Sequence, residues 1–122
     1  DGKVAYVSIE DDSVLAAYDL ATKKALFSVK TGGEPEGVLV SKDGKLAYVT
    51  SEEANLVHVI DLGAKKIVKN IKVGNRPRRF ALSPDGSELW VSNELSANLS
   101  VANHNQITGC SVILCLCLCL SL

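Results

Sequence analysis

Ala5-Tyr6-Val7-Ser8, Ala47-Tyr48-Val49-Thr50 and Leu89-Trp90-Val91-Ser92 are versions of one tetrapeptide, each set 42 residues after the last. The agreement spreads outward from them at the same offset. Asp19-Leu20 matches Asp61-Leu62, Lys23-Lys24 matches Lys65-Lys66, Gly32 matches Gly74, and Pro35 matches Pro77. Ser41-Lys42-Asp43-Gly44 returns as Ser83-Pro84-Asp85-Gly86, and no gap is needed between the copies. A fixed period of this length marks a chain built from stacked supersecondary units.

Each unit divides into four short apolar runs. In the second copy they are 37–40, 46–50, 56–60 and 67–73, rich in Val, Ile, Leu and Tyr. Such residues suit a pleated sheet, and turn residues break them at the rhythm of an all-β fold. Helix is excluded because no run is long enough and no 3.6-residue apolar period survives the Gly and Asp breaks. Ser83-Pro84-Asp85-Gly86 fixes φ with proline and gives glycine the left-handed position, so it closes a hairpin between the first and second runs. The run 56–60 is apolar at nearly every position, as in a strand covered on both faces. The run 67–73 carries lysines, which protect an outer edge from further pairing.

Four strands in about 40 residues, repeated, predict a propeller blade. The fold class is all-β: a β-propeller fragment of roughly three four-stranded blades with a 42-residue repeat. Residues 1–102 form the partial propeller, with repeats 3–44, 45–86 and an incomplete 87–102, and 103–122 form a tail. A closed ring of about seven such blades is the expected parent.

The chain has 122 residues, a net charge of -1 and 47% hydrophobic residues. Near-neutrality gives no push towards nucleic acid or an anionic membrane. The chain contains no Met, and the expectation is that the true N-terminus lies upstream. All four cysteines, Cys110, Cys115, Cys117 and Cys119, fall in the tail, unlike a disulfide scaffold. Val112 to Leu120 is low-complexity alternation, shorter than the ~18 apolar residues of a spanning helix. Its Cys-x-Cys-x-Cys spacing lacks the second ligand pair of a zinc site. Translation through a frameshift or an unrelated simple repeat is the favoured reading of this tail.

Tyr-Val-Ser, Tyr-Val-Thr-Ser and Trp-Val-Ser-Asn, together with Ser-Pro-Asp-Gly and Val-Ile-Asp-Leu, resemble the YVTN family of β-propeller repeats. Gly33-Glu34-Pro35-Glu36-Gly37-Val38, Asn75-Arg76-Pro77-Arg78 and the segment from Pro84 to Ser92 are similar to β-propeller proteins associated with pyrroloquinoline-quinone (PQQ)-dependent catabolism. The resemblance covers residues 3 to about 101. It implies a periplasmic or secreted protein and a name that records association with quinone-dependent alcohol oxidation rather than quinone binding. It carries over no catalytic residues and no cofactor.

In a blade, the loops before the first strand and between strands two and three open on one face. Here those loops carry Glu34, Glu36, Arg76, Arg78 and Arg79, the candidate ligand-binding residues, with Asn75, Glu10, Asp11, Asp12, Glu52, Glu53 and Glu94 beside them. Arginine suits a carboxylate or phosphate through its planar fork. The plainer expectation is a solvated rim of Arg–Glu pairs between blades. Alanine at Arg76 and Arg78 would then cost less than ~1 kcal/mol. His58, mid-strand among apolar residues, reads as a packed residue. Trp90, recurring with Tyr6 and Tyr48, reads as core. His104 falls in the tail. No catalytic or metal motif occurs. Two function classes follow: a non-enzymatic binding or scaffold propeller engaging an unknown protein or small polar ligand at its channel face, or a propeller enzyme such as a lactone hydrolase or a quinone- or haem-linked oxidoreductase. No nucleic-acid partner and no membrane span are expected.

Overall fold

The structure, a computed structural model, describes residues 2–103 and the backbone of a strand at 114–117. Apart from Asn103 and that strand, the reading of 103–122 as an aberrant tail lies outside the described residues, as does His104.

Three antiparallel sheets form, and no helix occurs among the described residues. The first contains β1 (Val4–Ile9), β2 (Val14–Asp19) and β3 (Ala25–Lys30). The second contains β4 (Pro35–Val40), β5 (Leu46–Ser51), β6 (Leu56–Asp61) and β7 (Lys66–Lys72). The third contains β8 (Pro77–Leu82), β9 (Glu88–Asn93), β10 (Asn98–Asn103) and β11 (Leu114–Cys117). Strands follow one another in chain order within each sheet. The register keeps the 42-residue period: Tyr6 faces Ala17, Tyr48 faces Val59, and Trp90 faces Val101. The repeat 45–86 begins on β5, the second strand of its sheet, and the repeats 3–44 and 45–86 each take in the first strand of the next sheet, β4 and β8.

Turn chemistry sets this frame. Gly44 N–H donates to Ser41 O at 2.9 Å, and Gly86 N–H donates to Ser83 O at 2.8 Å. Both glycines are left-handed, with φ of 72° and 77°, a region that glycine enters without steric cost. The Ser41 hydroxyl donates to Asp43 Oδ1 at 2.6 Å while Lys45 N–H donates to the same oxygen at 3.1 Å. Ser83, Asp85 and Ser87 repeat the arrangement. These bonds hold both carboxyls below the usual carboxylate range, with the serine hydroxyls of Ser41 and Ser83 the largest cause. A carboxyl lowered on folding contributes stability above its unfolded value, near ~4. That contribution is lost as pH falls through the folded value. Urea midpoints should therefore drop between about pH 5 and 2, and less steeply in an Asp43→Asn, Asp85→Asn variant. Identical pH profiles would show that the turns are not held by the ionised carboxylates.

Two hydrophobic layers lie between the sheets. Leu15 and Val29 of the first sheet meet Ala47, Val49 and Ile60 of the second. Tyr48, Val57 and Val59 of the second meet Leu89 and Val91 of the third. Successive side chains on a strand point to opposite faces, so β5 and β6 feed both layers. In β7, Lys66 and Lys72 are exposed while Ile71 is buried, which fits an outer edge. Tyr48 packs against Phe80 of the third sheet with ring centroids 6.5 Å apart. Trp90 is only partly buried and its Nε1–H donates to Glu88 Oε2 at 3.2 Å. It lies on the face of β9 opposite Leu89 and Val91. The core role expected of this repeated aromatic is seen at Tyr48, and Tyr6 packs against the layer between the first and second sheets.

Candidate functional site

The segments 31–34 and 73–76, which lead into β4 and β8, share one end of the sheets with the turns after β5 and β9. Backbone bonds tie each segment to a turn. Glu52 N–H donates to Glu34 O at 3.0 Å, and Glu94 N–H donates to Arg76 O at 2.9 Å, the same bond one repeat later. Arg76 N–H also donates to Asn55 Oδ1 at 2.9 Å. Glu34 and Arg76 both sit at positive φ, 51° and 55°. Such a backbone costs about 1–3 kcal/mol and persists where surrounding structure over-determines it.

The inner strands β4 and β8 run side by side because residue 37 has no side chain. A Cβ there would stand 2.4 Å from Arg78 O, a backbone atom that cannot move aside cheaply. This approach sets Glu36 against two arginines. Arg78 Nη2 donates to Glu36 Oε1 and Arg79 Nη1 to Glu36 Oε2, each at 2.8 Å. Arg78 Nη1 donates to Glu94 Oε2 at 2.8 Å, and Arg76 Nε donates to Glu52 Oε2 at 2.6 Å. Weaker ion pairs close the network: Arg76 with Glu94 and Arg78 with Glu52, each at 3.4 Å. Three guanidiniums thus meet three carboxylates, across the seam between the second and third sheets. Arg76 and Arg78 are held more firmly protonated than usual, chiefly through their bonds to Glu52 and Glu94 respectively. The bond from Arg78 is likewise the main cause that lowers the Glu94 carboxyl.

Glu52 is the buried member, with a side chain only 5% exposed and no hydrogen bond to Oε1. Its place in the network was not legible as a site, although a signal exists: Glu10, Glu52 and Glu94 recur at the repeat period. Of the expected residues, Arg76, Arg78, Arg79 and Glu36 come together. Glu34 instead lines a shallow cavity of about 390 Å³ with Glu52, Asn55, Asn75, Arg76 and the exposed Leu95.

Burial of Glu52 changes the expected effect of removing the arginines. A buried acceptor left without its partner costs about 1–3 kcal/mol, more than the solvated pairs anticipated from sequence. The Arg76→Ala, Arg78→Ala variant should lose that much stability in chemical denaturation, and adding Glu52→Gln should restore part of it. A double variant as stable as the parent would mean that Glu52 finds water instead.

The profile of the YNCE-like beta-propeller family matches residues 1–88. No curated protein matches the chain. Among solved structures, Kuenenia stuttgartiensis hydrazine synthase is similar at 28% identity and a TM-score of 0.83, over 88% of this chain and 31% of that one. The dihydro-heme d1 dehydrogenase NirN, solved in complex with DHE, is similar at 25% identity and a TM-score of 0.72, over 90% of this chain and 23% of that one. A putative 6-phosphogluconolactonase from Bacteroides fragilis NCTC 9343 shares the fold at 22% identity and a TM-score of 0.81, over 93% and 35%. The chain therefore spans about a third or less of the length of these solved proteins.

Proposed function

Since this chain belongs to the YNCE-like beta-propeller family, we propose that it is a non-enzymatic binding and scaffold module of the bacterial cell envelope. Its loop face would engage a protein or a small polar ligand, with Arg76, Arg78, Arg79, Glu34 and Glu36 as the presenting residues. The observation that carries this reading is the Arg–Glu network across the sheet seam. It fixes a mixed-charge surface in place before any partner arrives, and preorganisation lowers the ordering cost of binding. Arg79, 69% exposed, is the guanidinium most open to a partner. A periplasmic or secreted location and a link to quinone-dependent alcohol catabolism rest on the resemblance of the repeat motifs alone.

A second reading is a propeller enzyme with its site at the channel mouth. Two proteins similar to this chain at 25% identity or more are named as enzymes, one a synthase and one a dehydrogenase. One fold hosts many chemistries, so this remains an analogy.

The test is site-directed photocrosslinking of the full-length protein in intact cells. A crosslinker at Arg79 should capture one envelope protein, identified by mass spectrometry. The same group at Val68, 50% exposed on the outer strand β7, should not. Equal capture at both positions would count against a loop-face binding role, and turnover of a lactone or a quinone-linked substrate by the pure protein would favour the second reading.

A further inference from the structure

His58 is the buried titratable side chain that the rim network leaves unused. It sits in the middle of β6 at 4% exposure, facing the layer between the first and second sheets. Both ring nitrogens are bonded. Nε2 lies 2.8 Å from Gly32 N and Nδ1 lies 2.6 Å from Asn70 Oδ1. A backbone N–H can only donate, so Nε2 is the acceptor, and the proton of the neutral ring sits on Nδ1 and is donated to Asn70. Gly32 leaves no slack, since a Cβ there would stand 2.6 Å from Ser51 Oγ and 3.0 Å from His58 Nε2. The segment held in this way, residues 31–34, delivers Glu34 and Glu36 to the loop face.

We propose that His58 is an acid-sensitive clasp on that segment: protonation at Nε2 releases the Gly32 amide at the start of the segment, while Gly33 stays tied to Ser51. An imidazolium is a donor at both nitrogens, so at Nε2 two donors would face each other across 2.8 Å. The ionisable side chains on the surrounding elements are Lys72 on β7, which shares the ring's face beside Asn70, Lys30 at the end of β3, Glu34 in the segment itself, and Glu53 packed against Gly33. The ring is hydrogen-bonded to none of them, so no carboxylate offsets the new charge directly. Asn70 keeps its bond from Nδ1, and Ser51 Oγ still donates to Gly33 O at 2.7 Å. The release is therefore local to Gly32.

The next repeat supplies a control within the same chain. There Gly74 N–H donates to Ser100 Oγ at 3.3 Å, with Ser100 in the place of His58. A hydroxyl does not titrate in the physiological range, whereas a histidine does. The clasp is thus confined to one of two equivalent segments.

The experiment is amide hydrogen exchange of the glycine-labelled full-length protein by NMR, corrected for intrinsic rates. As pH is lowered from about 7.5 and ring nitrogen shifts report a proton arriving on His58, Gly32 should lose protection by about ten-fold or more while Gly74 does not. In His58→Ser, which copies the Ser100 arrangement, the difference should vanish. A Gly32 amide that tracks Gly74, or a pH response that survives in His58→Ser, overturns the proposal. Should that variant not fold, ring nitrogen shifts of the parent decide: a ring that protonates with Gly32 still protected, or one that stays neutral until the protein unfolds in acid, equally overturns it.

Discussion

Valine at position 37 is expected to destabilise the protein by about 2–3 kcal/mol, in the upper range for forcing atoms into a packed site, and to dismantle the rim network with it. A single added Cβ would meet Arg78 O at 2.4 Å and Phe80 Cδ2 at 3.3 Å. The first of these is backbone of the neighbouring inner strand, so β4 and β8 must separate. Separation would pull Glu36 from Arg78 and Arg79, because it is the residue immediately before Gly37. Gly63→Ala provides the control: a Cβ there finds only Asp61 Oδ1 at 3.4 Å, an ordinary contact, and the change should stay within about ±0.5 kcal/mol. Equilibrium urea unfolding reads both. A Gly37→Val protein as stable as Gly63→Ala would mean that the inner strands do not approach as described.

Leu89→Ala should cost about 3 kcal/mol, within the range for emptying a packed leucine site. Leu89 is fully buried between the second and third sheets, among Val57, Val59, Val91 and Ala102. Its layer is held by strands on both sides and can collapse only partly around the lost volume. Leu95→Ala is the matched comparison, since that side chain is 70% exposed and should be nearly neutral. The same unfolding assay separates them. Equal effects of the two substitutions would deny the layer between the sheets.

The fold was legible because its signals are local and repeated. Ser-x-Asp-Gly fixes a hairpin by bonds among neighbouring residues, and the apolar run 56–60 announces a strand buried on both faces. The seam was half legible. Loop position brought Arg76, Arg78, Arg79 and Glu36 forward, but Glu52 looked like any surface glutamate. Its burial is produced by the neighbouring sheet, which a loop sequence does not reveal. The left-handed backbone at Glu34 and Arg76 was also hidden, since neither residue favours that region. Bonds from the Glu52 and Glu94 amides over-determine it. The repeat assigns Trp90 the place of Tyr48, and no Phe80 equivalent packs against it among the described residues.

The claim on which the functional reading rests is that the arginines and glutamates of the loop face act together across the seam between sheets. A double-mutant cycle on Arg78 and Glu36, bonded at 2.8 Å from β8 to β4, tests it most directly in the full-length protein. Residues in one ion-pair network are coupled, whereas independent sites add. The predicted result is a double alanine variant less destabilised than the sum of the two single variants, with the difference shrinking as salt is raised. Strict additivity at low salt would contradict it.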